Sequence, residues 1–112
     1  MSVHRRLAAL FFADIVDFSG LSARDEAEAL RLVAVFQAAT REVVGRYGGR
    51  IVKFLWDGVL AEFPSTGNAI GAAAALDARF ARDSALGARA GPELRIGVHV
   101  GDVAITYDGD VF

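Results

Sequence analysis

The chain has 112 residues, 54% of them hydrophobic, which is the length and apolar content of one globular domain with its own core. Its formal net charge of −2 gives no global electrostatic case for nucleic acid or an anionic membrane as a partner. Because the chain contains no cysteine, disulfides, zinc–thiolate sites and thiol catalysis are excluded. A reducing, cytoplasmic location agrees with this composition.

The N-terminal half predicts a strand followed by a long helix. The apolar run from Leu7 to Val16 predicts a central strand buried on both faces, and it is far shorter than the ~20 apolar residues of a membrane span. No membrane contact is therefore expected from this segment. A helix is predicted from Ser22 to about Tyr47, with Ser22 as N-cap, Asp25 in the capping-box position and Gly48-Gly49 ending it.

The middle of the chain predicts a hairpin of two short strands. Residues 50–55 and 59–63 are strand-like, and Trp56-Asp57-Gly58 lies between them. Asp-Gly is a strong hairpin signal, so the turn is expected at this tripeptide. Lys53, the only lysine of the chain, falls within the first of these strands.

The C-terminal half predicts an alanine-rich helix over about residues 66–86 and strands over 94–100 and 103–107, with a turn or bulge at Gly101-Asp102. The predicted order is β-α-β-β-α-β-β. Its first six elements match the ferredoxin-like βαββαβ pattern, an α+β fold in which two helices lie on one face of an antiparallel sheet.

Two acids lie at unusual places in this pattern. Asp14 is near the end of the most apolar strand, and Asp57 is at the hairpin tip. Because the first strand lies centrally beside the hairpin in this fold, the two carboxylates can meet at one end of the sheet. They repel each other unless a cation lies between them, and oxygen ligands of this kind suit magnesium or manganese. Asp57 alone would equally be a plain turn residue, whereas Asp14 needs a partner.

Three segments in a fixed order suggest a family. "FFADIVDFSGLS" (11–22), "GGRIVKFLWDGVLAEF" (48–63) and "RIGVHVGDV" (95–103) together resemble the class III nucleotidyl cyclase catalytic domain, the adenylate and guanylate cyclases. The resemblance covers essentially the whole of residues 1–112. It implies the N-terminal part of such a domain, with the final segment, which carries an asparagine and an arginine of the active site, missing.

The resemblance implies a phosphate and metal site around two aspartates. Asp14, the carbonyl of Ile15 and Asp57 match the ligands of two Mg²⁺ or Mn²⁺ ions, and Asp14 and Asp57 are the implied catalytic residues. The backbone from Asp14 to Ser19, including Phe18, matches the segment that wraps the triphosphate.

The resemblance also implies the substrate and the assembly. Lys53 and Asp110 match the residues that read the purine, and a lysine with an acid fits the N1 and N6 groups of adenine. The implied function is an adenylate cyclase that converts ATP to 3′,5′-cyclic AMP and pyrophosphate by a two-metal mechanism at a homodimer interface. Lys53 and Asp110 of one subunit would face the metal aspartates of the other.

Three departures support a different reading, and the first is the missing final segment. Asp17 and Trp56 stand where the family usually has glycine. The alternative function is therefore a degenerate cyclase-homology domain that acts as a nucleotide-binding or dimerisation module without catalysis. A third reading, a ferredoxin-like structural or RNA-binding domain, fits the order of elements. It lacks the basic surface and exposed sheet aromatics that RNA binding uses.

Overall fold

A computed structural model describes residues 3–84 and 92–106. Within these residues, four strands form one antiparallel sheet, and the chain also contains three helices, which cover the sheet. The elements are β1 (Val3–Ile15), α1 (Phe18–Arg24), α2 (Glu26–Arg46), β2 (Arg50–Phe54), β3 (Gly58–Phe63), α3 (Thr66–Ser84) and β4 (Leu94–Thr106). The strand order is β2-β3-β1-β4. The predicted α+β, ferredoxin-like fold is confirmed.

The core lies between the sheet and the long helices α2 and α3. Alternate residues of β1, from Ala9 to Ile15, point to this side, where Phe36 of α2 and Leu76 and Phe80 of α3 are fully buried. The opposite side carries only a small cluster of Ala8, Leu10, Leu60 and Val52, which contains no helix residue. We call this side the open face. Phe12, which alternates with the buried residues of β1, is 46% exposed on it. The predictions that this strand is buried on both faces and that the sheet has no exposed aromatic residue are therefore wrong.

The predicted long first helix is two helices, α1 and α2, which meet at Asp25. The prediction that Ser22 caps the helix is wrong, because Ser22 lies inside α1. Asp25 is extended (φ −155°), and its Oδ1 accepts a hydrogen bond of 3.1 Å from the Glu28 amide, so Asp25 caps α2. Of the helices that the structure describes, none has the length and apolar content to cross a membrane.

The predicted break at Gly101-Asp102 is also wrong, because β4 is one unbroken strand. It pairs with β1 from Val3↔Thr106 to Ile15↔Leu94 without a register shift. Since β1 starts at Val3 rather than at the predicted Leu7, it offers β4 a backbone partner along its whole length. The last residue of the predicted strand, Tyr107, lies outside the described residues.

Strand β2 contains a β-bulge beside Lys53, the residue that the resemblance implies contacts the purine. Ile51 pairs with Ala61 and Lys53 with Leu60, so Val52 is one residue more than β3 can match. As a result, Ile51 and Phe54 both pack on the helix side although they are three residues apart. Lys53 is exposed, opposite a residue of the open face.

Candidate active site

The end of β1 and the hairpin between β2 and β3 meet at one end of the sheet. Asp14 pairs with Gly58 across the two strands, and the Ile15 amide donates a 3.0 Å hydrogen bond to the Asp57 carbonyl. The Leu55 amide donates to the Gly58 carbonyl at 2.8 Å and closes the turn. The backbone therefore brings the two predicted carboxylates, Asp14 and Asp57, to neighbouring positions.

Gly58 makes this close approach possible. A Cβ atom at this position would lie 3.1 Å from the Ala13 carbonyl oxygen and 3.4 Å from the Cβ of Asp14. The first of these contacts is with backbone, which cannot rotate away. The Asp-Gly pair that predicted a turn therefore also reflects tight packing between the hairpin and β1.

Asp17 and Trp56 both have left-handed backbone conformations. Their φ angles are +57° and +63°, and they are the non-glycine residues with positive φ among the residues described. These are the two positions at which the resemblance leads us to expect glycine. The backbone thus keeps a conformation natural to glycine, at a cost of about 1–2 kcal/mol per residue, which aspartate tolerates better than tryptophan.

The two carboxylate oxygens of Asp14 have different surroundings. Oδ2 accepts a 3.1 Å hydrogen bond from the guanidinium of Arg95, which is the cross-strand neighbour of Asp14 in β4. Oδ1 is buried and has no hydrogen-bond partner in the part of the chain that the structure describes. Sequence analysis missed Arg95. The need of Asp14 for a partner was visible, but the partner's identity depends on the register of strands 81 residues apart.

An open cleft of about 540 Å³ lies beside the hairpin tip. Its lining residues come from α1 and from the turn: Phe18, Ser19, Ser22, Ala23, Trp56 and Asp57. Ser19, predicted to contact the triphosphate, is exposed in the same cleft as Asp57. Phe18 is only 8% exposed, and its ring belongs mostly to the core. Ser22 and Ala23 were not predicted, because their exposure depends on the break before α2.

The remaining predicted residues do not join this cleft within one chain. Lys53 lies on the edge strand β2, two strand spacings or about 10 Å from β1. Asp110 lies outside the described residues. Of the predicted residues, Phe18, Ser19 and Asp57 line the cleft in one chain. Asp14 and Ile15 adjoin the hairpin through the backbone, and Lys53 lies apart.

The residues present fit a divalent cation bound together with a phosphate ligand. Within residues 3–84 and 92–106, no group of three or more histidine, cysteine or acidic side chains forms a metal centre. Magnesium is commonly bound by one or two carboxylates, with substrate phosphates and water completing its shell. The buried, unpartnered Oδ1 of Asp14 is an oxygen that such a cation would satisfy.

Fold and sequence agree on the class of the protein. The fold, an antiparallel sheet with helices on one face, is that of solved adenylate and guanylate cyclase structures. Similarity to curated relatives and to solved structures confirms the predicted resemblance to the class III nucleotidyl cyclases.

Two curated relatives are each 41% identical to the chain. They are a putative adenylate cyclase 3 of Rhizobium meliloti, aligned over 99% of the chain, and an adenylate cyclase of Streptomyces coelicolor, aligned over 98%. The chain spans only 19% and 27% of their lengths. An adenylate/guanylate cyclase/hydrolase structure from Silicibacter pomeroyi has a TM-score of 0.83 at 30% identity, over 99% of the chain and 65% of that structure. No protein-family model matches the chain.

Proposed function

We propose that the chain is the catalytic part of an adenylate cyclase, which converts ATP to 3′,5′-cyclic AMP and pyrophosphate. The observation that carries the proposal is that the backbones of Asp14 and Asp57 meet at the hairpin, where Asp14 pairs with Gly58 and the Ile15 amide donates a 3.0 Å hydrogen bond to the Asp57 carbonyl. The names of the two relatives support the choice of reaction. A cytoplasmic location goes with this proposal, because the substrate is ATP.

The proposed reaction is an intramolecular displacement at phosphorus. The ribose 3′-oxygen bonds to the α-phosphorus while the bond from that phosphorus to the pyrophosphate oxygen breaks, and the hydroxyl proton passes to solvent. Asp14, the Ile15 carbonyl and Asp57 would hold two Mg²⁺ or Mn²⁺ ions, which would ease deprotonation of the hydroxyl and neutralise phosphate charge. Ser19 and the backbone at Phe18 contact the triphosphate in the cleft.

Base recognition in this proposal needs a second copy of the chain. Lys53 is on the open face, but about 10 Å from the strand that carries Asp14, so one chain does not present both to one nucleotide. In a homodimer with the open faces together, Lys53 and Asp110 of one subunit contact the adenine whose phosphates lie at Asp14 and Asp57 of the other. Lysine donates to N1 of adenine and the acid accepts from its N6 amino group.

The proposal is tested by measuring cyclic AMP production from ATP with Mn²⁺, using the chain and its Asp57→Ala variant. We expect the variant to lose at least 100-fold in rate, roughly the scale of removing electrostatic stabilisation of a transition state. Asp77→Ala, which removes an exposed acid from α3, is the matched control and should keep the rate. Equal activity of the chain and the Asp57 variant would contradict the proposal.

A second candidate is a dimerisation module without catalysis. It is favoured by Asp17, whose Oδ1 lies so close to Gly20 that a Cβ there would be 2.4 Å away, so a carboxylate lies over the first turn of α1. Negative charge at this place disfavours a bound triphosphate. If the chain self-associates but neither binds ATP nor forms cyclic AMP, including in the full-length gene product, this candidate replaces the enzyme.

A further inference from the structure

Arg95 and Asp14 form a contact that the proposed reaction does not use. The Arg95 guanidinium donates to Asp14 Oδ2 at 3.1 Å, at the end of the sheet where Asp57 also lies. The two residues are directly opposite in the β1–β4 ladder. Since neighbouring strands keep such pairs on one side of a sheet, the register holds the guanidinium beside the carboxylate.

The ion pair is exposed and so can be broken at low cost. The Arg95 side chain is 73% exposed and that of Asp14 is 39% exposed. Pairs of this kind are held by about 0–1 kcal/mol, because water and salt screen them. Arg95 makes no other hydrogen bond or ion pair among the described residues. Its long side chain is therefore free to swing away while the strand backbone stays paired.

Arg95 provides a hydrogen-bond partner for only one of the two carboxylate oxygens of Asp14. Oδ2 has the guanidinium, whereas the buried Oδ1 has no partner in the described part of the chain. A divalent cation that binds this carboxylate meets the positive charge of Arg95, which donates to Oδ2 at 3.1 Å. Two cations at one carboxylate compete.

We propose that Arg95 is a built-in counter-cation of Asp14, which occupies the carboxylate in the free protein and must leave it when a divalent cation binds. This inference rests on the proposed function. Arg95 is thus a positioning residue that lowers the affinity for free metal. The pair keeps Asp14 in one orientation and disfavours loading of metal alone.

Trp56 offers a direct readout of metal binding. It is the only tryptophan of the chain, it precedes Asp57, and it lines the same cleft. Paramagnetic Mn²⁺ bound at Asp57 should quench its fluorescence. The experiment is a Mn²⁺ titration of the full chain without nucleotide, checked by electron paramagnetic resonance of the free ion, for wild type, Arg95→Gln, Arg95→Lys and Asp57→Ala. Arg46→Gln, a half-exposed arginine at the C-terminal end of α2, is the control for loss of one charge.

We expect Arg95→Gln to lower the dissociation constant for Mn²⁺ roughly three- to tenfold, the scale of one screened charge a few ångströms away. The gain should shrink as salt is raised. Arg95→Lys and Arg46→Gln should stay close to wild type. This pattern is not expected if Arg95 merely stabilises the fold.

The outcomes separate the two proposals. If binding depends on Asp57 but Arg95→Gln binds Mn²⁺ equally or more weakly, the inference on Arg95 is wrong and the metal site stands. If no variant shows binding that depends on Asp57, both the inference and the metal site of the proposed function are wrong.

Discussion

At the scale of the residue, Trp56 shows that a position can keep a left-handed backbone conformation, which is typical of glycine, when a bulky residue occupies it. Its φ of +63° lies in the left-handed region, and its carbonyl accepts a hydrogen bond from Gln37 Nε2 at 3.4 Å that any residue could accept. The ring is 56% exposed. The backbone strain at this position therefore arises from the Cβ atom, and the ring contributes to the stability of the fold separately.

Comparing Trp56→Gly with Trp56→Ala isolates this strain, because both variants lose the ring. We expect the glycine variant to have the higher free energy of unfolding, by about 1 kcal/mol, from the left-handed penalty less the entropy cost of glycine. Urea unfolding measures the difference. Ala38→Gly, at an exposed position of α2, should show the opposite sign and lose about 0.5–1 kcal/mol. An alanine variant as stable as the glycine variant would show that the turn carries no strain.

At the scale of the element, helical periodicity predicted the buried faces better than the boundaries. Ala29, Leu32 and Phe36, which recur at helical spacing in the sequence, are buried. The boundary between α1 and α2 was missed because Ser22 and Asp25 are both good N-caps, and local sequence does not decide between them. The continuity of β4 depends on the length of β1. The contact between Arg95 and Asp14 depends on the register of β1 against β4. Both are non-local and invisible to a reading along the chain.

The C-terminal part of α3 is fixed by ion pairs that respond to pH. Arg79 donates to Asp83 at 3.1 Å and to Glu42 of α2 at 2.8 Å. The hydrogen bond from Arg79, aided by Arg82, lowers the pKa of Asp83 from its ordinary value of 3.8. A carboxyl whose folded pKa is lowered stabilises the protein above the unfolded pKa and loses this contribution as pH falls through the folded pKa.

The melting temperature should therefore differ between wild type and Asp83→Asn at neutral pH, with wild type the more stable. We expect the difference to stay constant down to about pH 5 and to shrink below about pH 4, as Asp83 becomes protonated. Thermal unfolding followed by circular dichroism over this range tests it. Asp77→Asn, an exposed acid of the same helix without an ion pair among the residues described, is the control. A difference that persists unchanged at pH 2 would rule out the ion pair as its source.

At the scale of the whole molecule, the open face of the sheet is the surface with which the proposed homodimer forms. Phe12 is 46% exposed on it, and its neighbour in β4, Gly97, leaves free space above the sheet. Lys53 lies on the same face. A partner that covers this face would bury the aromatic ring and bring the lysine to the second site.

Phe12→Asp should weaken self-association, because it puts a charge at an apolar contact. We expect the dimer dissociation constant to rise at least tenfold, the scale of losing an aromatic anchor. Sedimentation equilibrium gives the constant, and circular dichroism checks the fold. Leu30→Asp is matched in exposure at 48% but lies on α2, on the other side of the molecule, and should leave the constant unchanged. If Leu30→Asp weakens self-association and Phe12→Asp does not, the dimer interface lies on the helix side of the molecule.

The bulge in β2 gives the hairpin an unusual tolerance to shortening. Removing one residue from an ordinary strand turns every later side chain to the opposite face. Val52, however, is the residue that β3 does not match, so its deletion leaves Ile51 opposite Ala61, Lys53 opposite Leu60 and Phe54 opposite Val59. A protein of 111 residues without Val52 would keep its lysine on the same face. The deletion would remove Val52 from the open-face cluster but would leave the pairing of Ile51, Lys53 and Phe54 with β3 unchanged.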